Sequence, residues 1–384
     1  MLDYLLTENQ QMIRELCARI TDEKIIPIAA ELDKTEEFPW GVMKVIAESD
    51  LFGLYIEEKY GGMGGGVLDL CIAVEEFSRG CGGIGVCYAA SALGAYPIVL
   101  FGNDEQKQKY LPDLAKGKKI AAFGLTEPAA GSDASAIQTT AKKDGDDYIL
   151  NGTKHFITNG GDAQLYVIIA MTNKSKGARG ASAFIVEKGT PGFTFGKKED
   201  KMGIRASSTR ELIFTDCRVP KENLLVKEGM GFIITMKTFD MSRPGVAIQA
   251  VGIAQGALDA TVKYAKERQQ FGKPISSFQG IQFMLADMAT QLEAARALVY
   301  ATAREIDSGR KDVGKDSAMA KLFASDVAMS VTTDAVQIFG GYGYMKEYPV
   351  EKYMRDAKIT QIYEGTNQIQ RGIIALALIK ETTK

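Results

Sequence analysis

The feature that most constrains this chain is a double change of hydrophobic period. Up to about residue 118 apolar residues recur with helical spacing. From there to about 228 they sit in short runs that read as strands, and from Gly229 the helical period returns. Helix, then strand, then long helix predicts an α+β chain of three parts. These are an N-terminal helical domain (1–118), a middle antiparallel β-barrel or sandwich (119–228) and a C-terminal four-helix bundle (229–384).

Local signals fill in each part. Thr7-Glu8-Asn9-Gln10 reads as a capping box, with Ile13, Leu16 and Ile20 following on one helical face. Helices are expected near Leu68–Phe77, Val86–Phe101 and Asp104–Leu114. In the middle part, Asn151-Gly152 between Tyr148–Leu150 and Thr153–Ile157 predicts a hairpin with a type I′ turn. Further strands are expected at Leu165–Ala170, Ala183–Glu187, Phe193–Phe195 and Glu211–Phe214. The last part predicts four helices, at 231–268, 278–308, 315–339 and 349–380.

Composition narrows the function classes. Lys+Arg (46) nearly balances Asp+Glu (48), so no overall field favours nucleic acid or an anionic membrane. Five scattered cysteines without CxxC spacing, and a single histidine, argue against a zinc site and for buried thiols in a reducing compartment. The N-terminus lacks a basic, apolar leader, and no run of eighteen apolar residues occurs. A cytoplasmic protein is expected. His155 reads as structural, in a strand-like setting, so a catalytic base is expected to be a carboxylate.

Several segments can carry chemistry, each with a bland alternative. Gly124–Asp133 is a small-residue turn able to present N–H groups, Thr126 and Ser132 to a flavin edge or a phosphate, or it is a plain turn. No helix-opening GxGxxG follows a strand, so a Rossmann domain is not supported. Phe156 and Thr158 can cover and edge a planar cofactor, or be core and surface. Arg268 at a helix end can meet a pyrophosphate, or complement the helix dipole. Asp240, Ser242 and Arg243 form a polar cluster open to a ligand role or an ion pair across the bundle. Glu364, followed by Gly365, can turn sharply toward a substrate, or be a solvated carboxylate.

Taken in order, Tyr60-Gly61-Gly62, Gly124–Asp133, Asn151–Lys154, Gly203-Ile204-Arg205, Arg268–Gly272, Ile338–Gly343 and Arg355–Arg371 resemble the acyl-CoA dehydrogenase family over nearly the whole length, most like its medium- and short-chain members. The resemblance implies the same helical–β–helical order, FAD at the junction of the β-domain and the bundle, and a homotetramer built as a dimer of dimers. It implies that Phe123, Leu125, Thr126, Gly131 and Ser132 line the flavin and that Phe156 and Thr158 cover it. The family often has Trp where Phe156 stands. Arg268, Phe271, Gln337 and Gly341 would clasp the pyrophosphate and adenine of a neighbouring subunit's FAD, and Thr366 and Gln368 would also touch FAD. Ser132, Asp240, Ser242 and Arg243 would meet the CoA portion, with Tyr363 and Gly365 beside the substrate. Glu364 matches the catalytic base. Relatives that carry the base on another helix have it where Ser242 stands here, and serine has no carboxylate.

The implied reaction is α,β-dehydrogenation of an acyl-CoA to the trans-2-enoyl-CoA, as in fatty acid β-oxidation, with electrons passing to electron-transferring flavoprotein. The family helix matching Gly80–Pro97 floors the acyl pocket. Ungapped matching puts Ile84, Gly85, Tyr88 and Ala89 there. The lack of an arginine at Ile84 disfavours a dicarboxylic acyl group, while Gly85 and Ala89 either widen the pocket or allow close helix packing. A medium or short straight chain is expected, with branched or cyclic acyl groups such as cyclohexanecarboxyl open. Rival readings are an acyl-CoA oxidase, disfavoured by length, and a flavin-fold binding protein that has lost catalysis, disfavoured by Glu364.

Overall fold

The computed structural model describes residues 4–382, so the outermost residues of the first and last expected domains lie outside it. Six helices open the chain: α1 (Glu8–Ile20), α2 (Ala29–Thr35), α3 (Trp40–Glu48), α4 (Val67–Gly80), α5 (Gly82–Phe101) and α6 (Asp104–Ala115). The Thr7 capping box forms as the sequence predicts: Thr7 Oγ accepts the Gln10 N–H and Gln10 returns to the Thr7 N–H.

Seven strands follow: β1 (Ala121–Gly124), β2 (Thr140–Asp144), β3 (Asp147–Thr158), β4 (Leu165–Met171), β5 (Ala181–Glu187), β6 (Phe193–Lys198) and β7 (Thr209–Pro220). They make one sheet in the order β1-β4-β2-β3-β7-β6, with β5 also paired to β4. The sheet is not purely antiparallel as expected, because β4 runs parallel to both β1 and β2. Strand β4 is buried along its whole length, the pattern of a strand covered on both faces.

The Asn151-Gly152 hairpin does not exist. Strand β3 runs straight through these residues with a bulge between Leu150 and Gly152. Asn151 binds across the sheet instead, its Oδ1 accepting the Asp216 N–H at 2.8 Å and its Nδ2 donating to Asp216 Oδ1 at 3.1 Å. Gly152 has φ +144 and lies against Thr139, where a Cβ would come within 2.7 Å of Thr139 Cα. Its glycine serves close backbone approach rather than a turn. The hairpin sits a few residues earlier. There Asp144 pairs with Asp147, and Gly145, at φ 62, takes the first loop position.

The C-terminal part begins with α7 (Gly231–Glu267). A two-stranded ribbon follows, β8 (Gln269–Gln270) with β9 (Lys273–Pro274), and then α8 (Gln279–Asp307) and α9 (Gly314–Phe339). The expected fourth helix is two: α10 (Val350–Thr360) and α11 (Asn367–Glu381), parted by the segment that holds Glu364. Helix α7 is central, packing on α4, α5, α8, α9 and α10, so the first and last thirds of the chain share one core. The α4–α8 contact carries a fully buried Arg296 whose Nε donates to Glu75 Oε1 at 2.6 Å. Helices α5 and α7 are long and apolar enough by composition to cross a membrane, but 72% and 78% of those stretches are buried inside the protein. All five cysteines are buried and unpaired. Among the described residues no group of His, Cys, Asp or Glu could hold a metal.

Candidate active site

The break between α10 and α11 sets the geometry of Glu364. Glu364 has φ +49 and Gly365 φ +92, two left-handed residues in succession. The first is unusual for a residue with a Cβ and costs about 1 kcal/mol or more. Side chains from both flanks hold it. Gln370 Nε2 donates to Glu364 O at 3.0 Å and Gly365 O at 2.9 Å. Lys321, on α9, donates to Gly365 O and to Asn367 Oδ1, each at 2.9 Å. Thr366 caps α11 by accepting the Ile369 N–H. The Glu364 N–H has no acceptor among the described residues.

Ser242 Oγ donates to Glu364 Oε2 at 2.7 Å. Burial pushes the Glu364 pKa above the ordinary carboxylate value, and the Ser242 hydrogen bond, Arg243 and Lys321 only partly oppose it. Tyr363 is raised further, by burial and by Glu364, while its hydroxyl donates to Gln249 Oε1.

Two cavities meet at Glu364. One, of about 440 Å³, runs between α5, α7 and the Gly131–Ser135 loop. The other, of about 650 Å³, lies between that loop, the end of β3, residues 199–204 and the α10–α11 break. Thr126, Gly131, Ser132, Phe156, Thr158 and Glu364 line both, so the two form one cleft with the carboxylate at its waist.

The Gly124–Asp133 turn is built on a buried ion pair. Lys154, fully buried on β3, donates to Glu127 Oε1 at 2.7 Å and to Leu125 O at 3.0 Å. Glu127 also accepts the Gln138 and Thr139 N–H groups. Burial lowers the Lys154 pKa to about 8 against the pull of Glu127. For Glu127 burial acts upward, but Lys154 and the donors around it bring the net shift below the ordinary value. Next to it, Phe156 has φ +58 on the irregular step between Lys154 and Ile157, and 60% of it is exposed to the cleft. His155 is tied down, its N–H donating to Thr126 O at 2.8 Å and its Nδ1 3.0 Å from Glu211 Oε1.

Most residues singled out from the sequence converge here. Phe123, Leu125, Thr126, Gly131, Ser132, Phe156 and Thr158 line the cleft from the β side. Ser242, Arg243, Tyr363 and Gly365 line it from the helical side, with Thr366 in the second cavity and Ala89 at the far wall. Arg268 and Gly341 meet elsewhere, in a groove at the end of α7 where the guanidinium lies 5.4 Å from the Tyr342 ring centroid. Phe271 is 91% exposed on the β8–β9 ribbon, and Gln337 and Gln368 lie exposed on α9 and α11, so none of the three reaches the cleft within one chain. Asp240 does not line it either; its carboxylate faces Lys237 and Arg243.

Ile84, Gly85 and Tyr88 are corrections. They face the core, on the side of α5 away from the cavity. Tyr88 is buried with its hydroxyl on Leu51 O at 2.6 Å, and its ring meets Phe52 and Phe77. At Gly85 a Cβ would overlap Ser78 Oγ and lie 3.1 Å from Ser78 Cβ, so this glycine lets α5 approach α4. The cavity face is Val86, Ala89, Ala90 and Leu93, an i, i+3, i+4, i+7 set, with Tyr96 beyond it. Sequence reasoning also missed Lys321, Asn367 and Gln370. A lysine in the mostly apolar run of α9, and an amide pair just after Gly365, were the available signals.

The second cavity suits a flat, polar-edged group. Phe156 offers an exposed ring beside the Thr158 hydroxyl, and a Cβ on Gly131 would meet nothing within 4 Å. In the first cavity the Tyr96 hydroxyl and Arg243 Nε are buried without partners. An aromatic wall, an open glycine and unspent donors fit a flavin and a polar acyl carrier.

Comparison with known proteins adds independent findings. Family models for the acyl-CoA dehydrogenase N-terminal, middle and C-terminal domains match residues 7–118, 122–217 and 229–379. The short-chain specific acyl-CoA dehydrogenase of Clostridium acetobutylicum is 52% identical over 375 residues, covering 97% of this chain and 99% of its own. The butyryl-CoA dehydrogenase structure from Megasphaera elsdenii superposes with a TM-score of 0.96 at 52% identity, over 98% of this chain and 100% of the other. A chain from work on the electron transferring flavoprotein of Acidaminococcus fermentans and flavin-based electron bifurcation reaches 58% identity and a TM-score of 0.96, over 98% and 99%.

Proposed function

This chain belongs to the acyl-CoA dehydrogenase family, and from that premise we propose that it removes two hydrogens across Cα–Cβ of a short straight-chain acyl-CoA, with Glu364 as the base. The observation that carries the reading is a half-buried carboxylate of raised pKa at the waist of a two-chambered cleft. FAD, when bound, would supply the two-electron acceptor that takes the β-hydride. Phe123, Leu125, Thr126, Gly131, Ser132, Phe156, Thr158 and Thr366 would hold it, and Arg268 and Gly341 would serve the cofactor of a neighbouring copy.

Glu364 takes the α-proton. Burial makes it a stronger base than a solvated carboxylate, and the Ser242 hydrogen bond fixes which oxygen is free to receive the proton. The unused Glu364 N–H is available to the thioester carbonyl as enolate charge develops. Arg243, buried with a spare donor, suits the acyl carrier's polar groups. Val86, Ala89, Leu93 and Tyr96 enclose the acyl tail, and the likeness to short-chain and butyryl-CoA enzymes supports a short chain.

The likeness to the Acidaminococcus chain supports electron-transferring flavoprotein as the onward acceptor. Exposed Leu376 and Leu378 on α11 favour assembly of copies. Anaerobic titration of the flavin-loaded protein with acyl-CoAs from C4 to C12, plus branched and cyclic ones, tests the reading. Bleaching first and most completely by butyryl-CoA is expected. A protein bleached by none is not a dehydrogenase of these substrates.

A further inference from the structure

Lys321 is fully buried on α9, yet neither of its partners is a carboxylate. Its two acceptors, Gly365 O and Asn367 Oδ1, are both neutral. An ammonium has three protons to give and is costly to bury without a counter-ion. Burial accordingly lowers its pKa to about 8. The charged groups that act on it are Glu364 from the α10–α11 break, Arg243 from α7 and Asp326 from α9 itself. A fold needing only a hydrogen-bond donor here could use a neutral one at lower cost.

The surroundings show what the amine touches. One face of α9 is sewn to the break. Ser325 Oγ accepts from Asn367 Nδ2 at 2.9 Å, and Asp326 Oδ1 accepts from both Asn367 Nδ2 and Gln361 Nε2 at 2.7 Å. Lys321, Ser325 and Asp326 thus grip the segment on both sides of Glu364, and Lys321 holds the carbonyl of the residue right after it.

We infer that Lys321 is a positioning residue for Glu364, fixing the left-handed Glu364-Gly365 pair through the Gly365 carbonyl and keeping Glu364 ionised at the acid end of the working range through its positive charge. This rests on Glu364 being the base. When Lys321 loses its charge in alkali, Glu364 stays ionised because protons are scarce, so the charge effect is read on the acid limb of the rate profile.

The test uses the flavin-loaded protein and its Lys321→Met, Lys321→Gln and Lys321→Arg variants, with Glu364→Gln as reference. kcat and KM for butyryl-CoA are measured from pH 5.5 to 9. Lys321→Met is expected to lose kcat with little change in KM. Its ratio of kcat/KM at pH 8 to that at pH 6 should rise about threefold or more over the parent. Lys321→Arg, which keeps charge and donors, should hold the parent ratio. Lys321→Gln, which can still donate to Gly365 O, should show the raised ratio with more of the parent kcat, and it carries the test if Lys321→Met does not fold. A parental pH profile in both uncharged variants, or a raised ratio in Lys321→Arg as well, overturns the inference. Near-parental turnover by Glu364→Gln would instead remove the base assignment beneath it.

Discussion

Replacing Gly85 by alanine should destabilise the protein without changing which acyl chains it accepts. The added Cβ would overlap Ser78 Oγ and sit 3.1 Å from Ser78 Cβ and 3.2 Å from Ser78 Cα. The hydroxyl has no hydrogen-bond partner and can rotate, but the Cα and Cβ cannot. Ser78 has no room behind it, because Gly252 of α7 packs on its other side, where a Cβ would lie 2.8 Å from Ser78 Cβ. Overpacking of this kind costs about 1–3 kcal/mol. Alanine returns about 1 kcal/mol of helix propensity. The net loss should be about 1 kcal/mol. The assay pairs the urea midpoint, at fixed excess FAD, with kcat/KM for butyryl-, hexanoyl- and octanoyl-CoA. A lower midpoint with unchanged substrate ratios is expected. Unchanged stability with a clear shift toward shorter chains would mean that Gly85 lines the acyl pocket and that the helix face is misread.

The complementary change, Ala89→Leu, extends into the cavity and should leave the urea midpoint near the parent's. It should cost longer acyl chains about 1–3 kcal/mol per displaced methylene, read as a steep fall in kcat/KM beyond C4. Lys154→Met leaves Glu127 buried and uncompensated, a loss of about 3–5 kcal/mol, and should loosen the Gly124–Asp133 turn. Weaker flavin retention on gel filtration checks it, and full retention would count against the turn holding the cofactor. Glu364→Gln should raise stability at pH 8 but not at pH 3. The folded pKa is raised, so Glu364's contribution is intact below the ordinary carboxylate value and is lost as pH rises from there through the raised folded value. Thermal midpoints of parent and variant should therefore converge in acid.

The three-part fold was legible because the change of period is long and repeated. The errors fall where local signals had two physical meanings. Asn151-Gly152 is a turn signal, but the Asn side chain found Asp216 across the sheet and Gly152 met Thr139, so the pair made a bulge. The α10–α11 break was hidden because Ile359, Ile362, Ile369 and Ile373 keep an apolar rhythm across it. Its cause, the grip of Lys321 and Gln370 on the carbonyls of Glu364 and Gly365, is a long-range and a local contact that spacing does not reveal. On α5 the cavity face could not be read at all. The helix is apolar and small on every side and buried nearly all round, so its period carries no direction. Ungapped matching then chose Ile84, Gly85 and Tyr88, and only Ala89 fell on the open face. Asp240 was ambiguous for the converse reason: a polar cluster in a helix reads equally as ligand-directed or as ion-paired, and its carboxylate faces Lys237 and Arg243.

The assignment on which the chemistry turns is Glu364 as acceptor of the substrate's α-proton. It is tested most directly by rapid anaerobic mixing of flavin-loaded parent and Glu364→Gln with butyryl-CoA, following the flavin absorbance. The variant should keep its flavin and still bind the ligand, while its first reduction is slower by about 10²- to 10⁴-fold. Reduction at close to the parental rate would contradict it.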